Sequence, residues 1–224
     1  QIDQDGTTVD VTGTTLTVEA GGTGISSTTG DITLDATTDI NVNDTIASTS
    51  GAVTLGADND ITFTGGSITT DGDVTVTADD DATADAGAGG ALTMDATSSI
   101  NAGSGAIALS ADEDVTVTGV STTNTGTTTA TSAVTITTAS GAVVDGSGDA
   151  TVDVTANSGL LTISAQTGVD LDTQVSRLHL TNQASGAVNI AETDALVIDQ
   201  IDQDGTTVDV TGTTLTVEAG GTGI

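Results

Sequence analysis

Nearly all of the residues that could do chemistry in this 224-residue chain are carboxylates. Thirty-two Asp and Glu stand against one Arg, one His and no Lys, giving a formal net charge of −31. Three clusters stand out: Asp58-Asn59-Asp60, Asp79-Asp80-Asp81 and Asp112-Glu113-Asp114. Each fills the same turn of a recurring phrase, so Asp58, Asp60, Asp79, Asp80, Asp81, Asp112 and Asp114 are expected to gather at one corner. They are the candidate ligands for Ca²⁺, a cation that takes roughly six to eight oxygens. No established calcium motif supports them. The nonapeptide GGxGxDxUx is missing, and Asp202-Gln203-Asp204-Gly205 fails as an EF-hand because its first and last ligand positions would be Gln200 and Thr211. A solvated, self-repelling turn is the plainer expectation, and calcium is the only cofactor candidate.

His179 is the single imidazole. It alternates with Leu178 and Leu180, so it should face solvent, with Arg177 two residues earlier on the same face. A hydrolase built on carboxylates alone would need aromatic rings to stack sugars, and the chain has no Trp, no Tyr and one Phe. No Cys is present to act as nucleophile, disulfide partner or metal ligand. The expectation is a non-enzyme with no catalytic residue. One Arg cannot neutralise a phosphate backbone, which excludes nucleic acid as a partner, and like charge disfavours anionic lipid. No apolar run approaches the ~20 residues of a membrane span. Thr33, Thr54, Thr75, Thr93 and Thr162 share one position of the phrase and could form an outward rank of the kind that binds ice. Their flanks are irregular, so β-propensity and solubility explain them better.

What positions these residues is a repeat. Gly30, Gly51 and Gly72 recur at a constant interval and open the phrases GDITLDATTDINV, GAVTLGADNDITF and GDVTVTADDDATA. Further copies begin at Gly90, Gly105, Gly159 and Gly186, the last with Glu192 where the others have Ala. Pairs such as Ile32/Leu34 and Ile40/Val42 alternate with polar residues, the period of a half-buried strand. A third apolar contact follows at Ile46, Ile68 or Val120, and the Gly159 unit offers Leu178-His179-Leu180 as its third side. Three short strands per turn make a coil that cannot bury its own apolar face, and stacking the coils buries all of them together. The fold predicted is therefore all-β: a right-handed parallel β-helix (β-solenoid) with about 18–27 residues per coil and a roughly triangular cross-section.

The composition agrees. Val, Ile, Leu and Ala suit a narrow interior, and about fifty Thr suit strand faces. Gly is expected to supply positive φ at corners, and Pro, which cannot donate to a ladder, is absent. A tandem immunoglobulin-like sandwich is the rival fold. It would carry buried aromatics and turn prolines and would lack so short and regular an internal period.

A longer repeat encloses the short one. Residues 1–25, QIDQDGTTVDVTGTTLTVEAGGTGI, return unchanged as residues 200–224. The chain divides accordingly into one tandem repeat, 1–199, and the start of the next, 200–224. At about ten coils per repeat and ~4.8 Å per coil, one repeat should advance roughly 48 Å.

Stacked GDITLxAxxDI units resemble the β-strand repeats of filamentous-haemagglutinin-like proteins, the large bacterial exoproteins and adhesins. The stretch GLLTISAQTGVDLDTQVSRLHLTNQASGAVNIAETDALVI is similar to repeats of giant surface proteins in that group. The resemblance implies a right-handed parallel β-helix, export to the cell surface, and a role in adhesion, biofilm or fibre formation. The expected function is thus an extracellular structural protein: a segment of a long acidic fibre with itself as partner, end to end or side by side, and divalent cations as further candidates. A rigid adhesin stalk is the alternative, with a calcium- or ice-binding module behind it.

Overall fold

The computed structural model describes residues 1–79, 90–148 and 151–217. Two of the candidate calcium ligands, Asp80 and Asp81, lie outside the described residues. The chain winds as a β-solenoid of about ten turns, with strands in parallel register and no α-helix among the described residues. The only helical turn described is a single 3₁₀ turn, Thr129–Thr131.

Each coil has three sides, and each side is a column of stacked residues. On the first side the inward column runs Val11, Leu34, Leu55, Val76, Leu109, Ile136, Ile163, Leu180, Ile201. On the second it runs Leu16, Ile40, Ile61, Leu92, Val115, Val143, Val169, Val188, Val208. The third begins with Ile2, Ile25, Ile46, Ile68, Ile100, Val120 and Val154. It then turns polar, with Thr173 beside Val154 and Glu192 beside Thr173. Alternation along each strand sends every second side chain inward, and the three columns meet in one continuous core. Phe63, the one aromatic side chain, is fully buried between Val42 and Met94.

Spacing within a column gives the coil length. Ile32, Val53 and Val74 follow one another at the interval of the glycines, but the next step, from Val74 to Ile107, is half as long again. The step from Leu161 to Leu178 is shorter than either. Coil lengths therefore spread beyond the expected range, because corner loops can lengthen or shorten without disturbing the ladder.

The long coil corrects the reading of the phrase at Gly90. Its Leu92–Met94 strand sits on the second side, on Ile61–Phe63, and its Ser99–Asn101 strand on the third. Gly186 is displaced likewise: Val188 stacks on Val169 of the second side. Thr93 consequently leaves the Thr rank for the second side, between Thr62 and Thr116. The rank itself reads Asp10, Thr33, Thr54, Thr75, Ala108, Thr135, Thr162, His179, Gln200. Leu178–Leu180 belongs to the first side rather than the third.

The glycine column at the corner before the first side has a cause other than positive φ. Gly30, Gly51, Gly72 and Gly105 stack directly, and a Cβ on each would lie 2.0, 2.2, 2.6 and 2.0 Å from the carbonyl oxygen of Thr7, Gly30, Gly51 and Gly72 respectively. Backbone rests on backbone there, leaving no room for a side chain. Buried hydroxyls bracket this column. Ser48 Oγ accepts from Gly51 N (2.9 Å) and donates to Gly30 O (3.0 Å), and Ser27 and Thr70 repeat the bracket one coil before and after. Each bracket satisfies backbone groups that the corner removes from the ladder.

Candidate functional site

The acidic turns do stack. Asp58, Asp79 and Asp112 occupy the corner between the first and second sides on successive coils, where Asp79 N donates to Asn59 O and Ser140 N to Asp112 O. Asp79 takes a left-handed φ of 63°, a conformation that Asp tolerates in turns. The neighbouring carboxylates do something else. Asp60 Oδ1 accepts from Gly90 N (3.1 Å) and Ala91 N (3.0 Å), and Asp114 Oδ1 from Ala142 N (2.7 Å). Asp31 and Asp73 accept in the same way from Ala52 N and Ala106 N, each at 2.8 Å. In every case a carboxylate just before one strand takes the N–H just before the strand of the next coil. The side chain extends the ladder by one rung with a charge-assisted bond. Asp60 and Asp114 are thus inter-coil clamps. Among the described residues, no three His, Cys, Asp or Glu side chains are grouped to hold a metal ion.

Arg177 and His179 share a face, as their alternation requires, and Arg177 forms a two-armed ion pair with Asp199 one coil on. His179 stands between Thr162 and Gln200 in the outward rank.

The most unusual electrostatics lie away from the acidic turns. Asp153 is fully buried. Its Oδ1 accepts from Ser147 Oγ (2.8 Å) and its Oδ2 from Asp172 N (3.0 Å). Asp145 stands beside it, accepting from Ser147 N and Gly148 N, each at 2.7 Å. Burial pushes Asp153 up to about 7, and the neighbouring Asp145 charge adds to the rise, against the lowering effect of its bonds to Asp172 N and Ser147. Glu192 is also buried. It accepts from Thr173 Oγ1 (3.0 Å), Val175 N (3.0 Å) and Asp194 N (3.2 Å), and burial raises it despite these bonds. Asp153 and Glu192 sit two coils apart at the entrance to the third side, where the apolar column ends. Asp95 shows the reverse behaviour. Its slight burial alone would raise it, but donors from Ser98, Thr97 and Gly65 hold it down at about 2.

Glu192 carried a sequence signal, an acid in the Ala position of the phrase. Asp153 carried none: in Val152-Asp153-Val154 it reads as an ordinary outward residue, and only the corner geometry turns it in.

A hollow of about 290 Å³ opens on the outer face of the second side, lined by Asp145, Asp170, Asp172 and Asp209 around Asn189. It brings four carboxylates together with no aromatic side chain in its lining. Asp170, Asn189 and Asp209 stack outward on successive strands with Asp172 two residues along, and Asp145 joins them from the end of its strand, past Val143 and Val144. Neither a protein-family model nor a curated protein nor a solved structure matches this chain.

Proposed function

We propose that the chain is a segment of a long, acidic, extracellular β-solenoid fibre built of 199-residue tandem repeats, serving at or near a bacterial cell surface as filament, matrix or cell–cell connector. The observation that carries this reading is continuity. Where the sequence of residues 1–25 begins again at Gln200, the stack does not break: Ile201 lies beside Leu180, and Val208 and Val210 beside Val188 and Ile190. Stacking the coils is the only way each can cover its apolar edges, so the fold extends along one axis by adding repeats. The resemblance to filamentous-haemagglutinin-like repeats supports export and a surface role. The dense negative charge keeps rods apart and discourages edge-to-edge pairing. Catalysis forms no part of this reading, and the partner is the chain itself.

Electron microscopy of proteins carrying one, two and four repeats tests it. Rod length is expected to rise in proportion to repeat number, with rods meeting end to end. Length independent of repeat number overturns the fibre, and rods that remain single at all concentrations favour a stalk.

A further inference from the structure

The two copies of the 25-residue segment are identical in sequence but are not seated alike. In the first copy Ile2 lies on the third side against Ile25, Val9 on the first side against Ile32, and Leu16 on the second side against Ile40. In the second copy, Ile201 lies on the first side against Leu180 and Val208 on the second side against Val188. Leu215 follows round the next corner, against Leu196. Each described strand of the second copy is one side further round than its counterpart.

Counting along the columns fixes the amount. The first-side column takes eight steps from Val11 to Ile201, and Val210, the counterpart of Val11, lies one side beyond Ile201. One repeat of 199 residues therefore advances eight coils and a third, not the ten expected from its length, chiefly because of the three long coils Val74–Ile107, Ile107–Val134 and Val134–Leu161. The shift keeps the alternation in frame. Val9 stacks on Ile32 and Val208 on Val188, with Asp10 and Asp209 on the opposite parity, because all three sides impose the same period of two. Val208, on the last described coil, is 36% exposed where Val9 is buried.

We infer that successive 199-residue repeats of this chain are related by a one-third turn about the solenoid axis, so that three repeats restore the starting orientation. This rests on the tandem-array reading. At ~4.8 Å per coil each repeat advances about 40 Å and the full period is about 120 Å. Any feature present once per repeat is displayed on each side of the rod in turn. The Arg177–Asp199 ion pair, present once per repeat, then faces three directions along the fibre in turn.

The register of the second copy can be read in the chain as it stands, which has no cysteine of its own. Asn189 and Asp209 are outward neighbours on the second side. Cysteines there would be one strand spacing apart, within disulfide reach. Were the repeat a whole number of coils, Asp209 would instead occupy the position of Asp10, in the first-side rank next to His179. Two variants, N189C/D209C and H179C/D209C, are oxidised with a mild catalyst under conditions where circular dichroism shows the parent spectrum. The expected result is near-complete loss of free thiol in N189C/D209C and retention of both thiols in H179C/D209C. The opposite pattern, equal oxidation of both, or oxidation of neither overturns the one-third turn. These outcomes are independent of whether the protein forms fibres, so failure of the register and failure of the fibre reading are told apart.

Discussion

Asp153 is a carboxylate that burial makes harder to ionise. Its neighbours are acidic, Asp145 and Asp172, and its donors are Ser147 Oγ and the Asp172 amide. Between the unfolded value of 3.8 and the folded value of about 7, the native state binds the proton more tightly than the unfolded chain does. Stability contributed at this site is therefore greatest below that window and falls as pH rises through it. A shift of about three units corresponds to roughly 4 kcal/mol at most. Asp153→Asn keeps the shape and a donor for Asp145 while removing the titration. We expect this variant to melt at a higher temperature than the parent at pH 8, with the difference shrinking as pH is lowered towards 4. Thermal melts of both proteins across that range check it, and a variant less stable than the parent at every pH would show that the carboxylate is wanted ionised. Glu192 follows the same sign, since burial raises it as well.

The coil is held by two kinds of stack, apolar columns inside and backbone contacts at the corner. Leu55 is fully buried between Leu34 and Val76, whereas the outward Thr54 is exposed. Leu55→Asp strands a charge in the core and is expected to cost more than ~4 kcal/mol or abolish folding. Thr54→Ser should stay within ~0.5 kcal/mol. Denaturant melts compare them, and equal effects would mean that inside and outside are exchanged. The corner gives a separate prediction. At Gly51 an added Cβ would stand 2.2 Å from Gly30 O, so Gly51→Ala must spread two coils and weaken the bracket made by Ser48 Oγ. Its effect should exceed that of Gly148→Ala, where nothing lies within 4 Å and only the strain of a φ of 78° is added. If both alanine variants melt together, backbone contact is not what requires glycine in the column.

Over the whole molecule, charge is expected to govern association under the fibre reading proposed above. A net charge of −31 is spread along coils ~4.8 Å apart, closer than the Debye length of about 8 Å at physiological salt. Adjacent coils therefore repel one another, and so do adjacent rods. Acidification towards pH 4 protonates Asp side chains, whose ordinary pKa is about 3.9. Rods are then expected to bundle, as a rise in light scattering. Rods that stay dispersed at pH 4 would show that charge does not keep them apart. Calcium tests the same field at neutral pH. At matched ionic strength, calcium and sodium should act alike if screening alone matters. A higher melting temperature in calcium alone would mark specific binding, with the hollow lined by Asp145, Asp170, Asp172 and Asp209 as the first place to mutate.

The sequence by itself determined the class of fold and the inward set. Period-two alternation and the even spacing of Gly30, Gly51 and Gly72 are local properties, and Ile32, Leu34, Leu55, Ile61 and Val74 are buried where alternation put them. The Asp58, Asp79 and Asp112 corner was legible because each follows directly on a first-side strand, Val53–Ala57, Val74–Ala78 or Ile107–Ala111, and those strands stack in register. Alternation states only in or out, however, and says nothing of which side of the triangle a strand occupies. That depends on the length of each corner loop and on the column already laid down beneath it. Hence the phrases at Gly90 and Gly186 fall on the second side, Thr93 leaves its rank, and an identical 25-residue segment is seated in two places. The burial of Asp153 has the same origin. A residue that alternation would send outward is turned inward at a corner, where Ser147 and the Asp172 amide come from parts of the chain that only winding brings together.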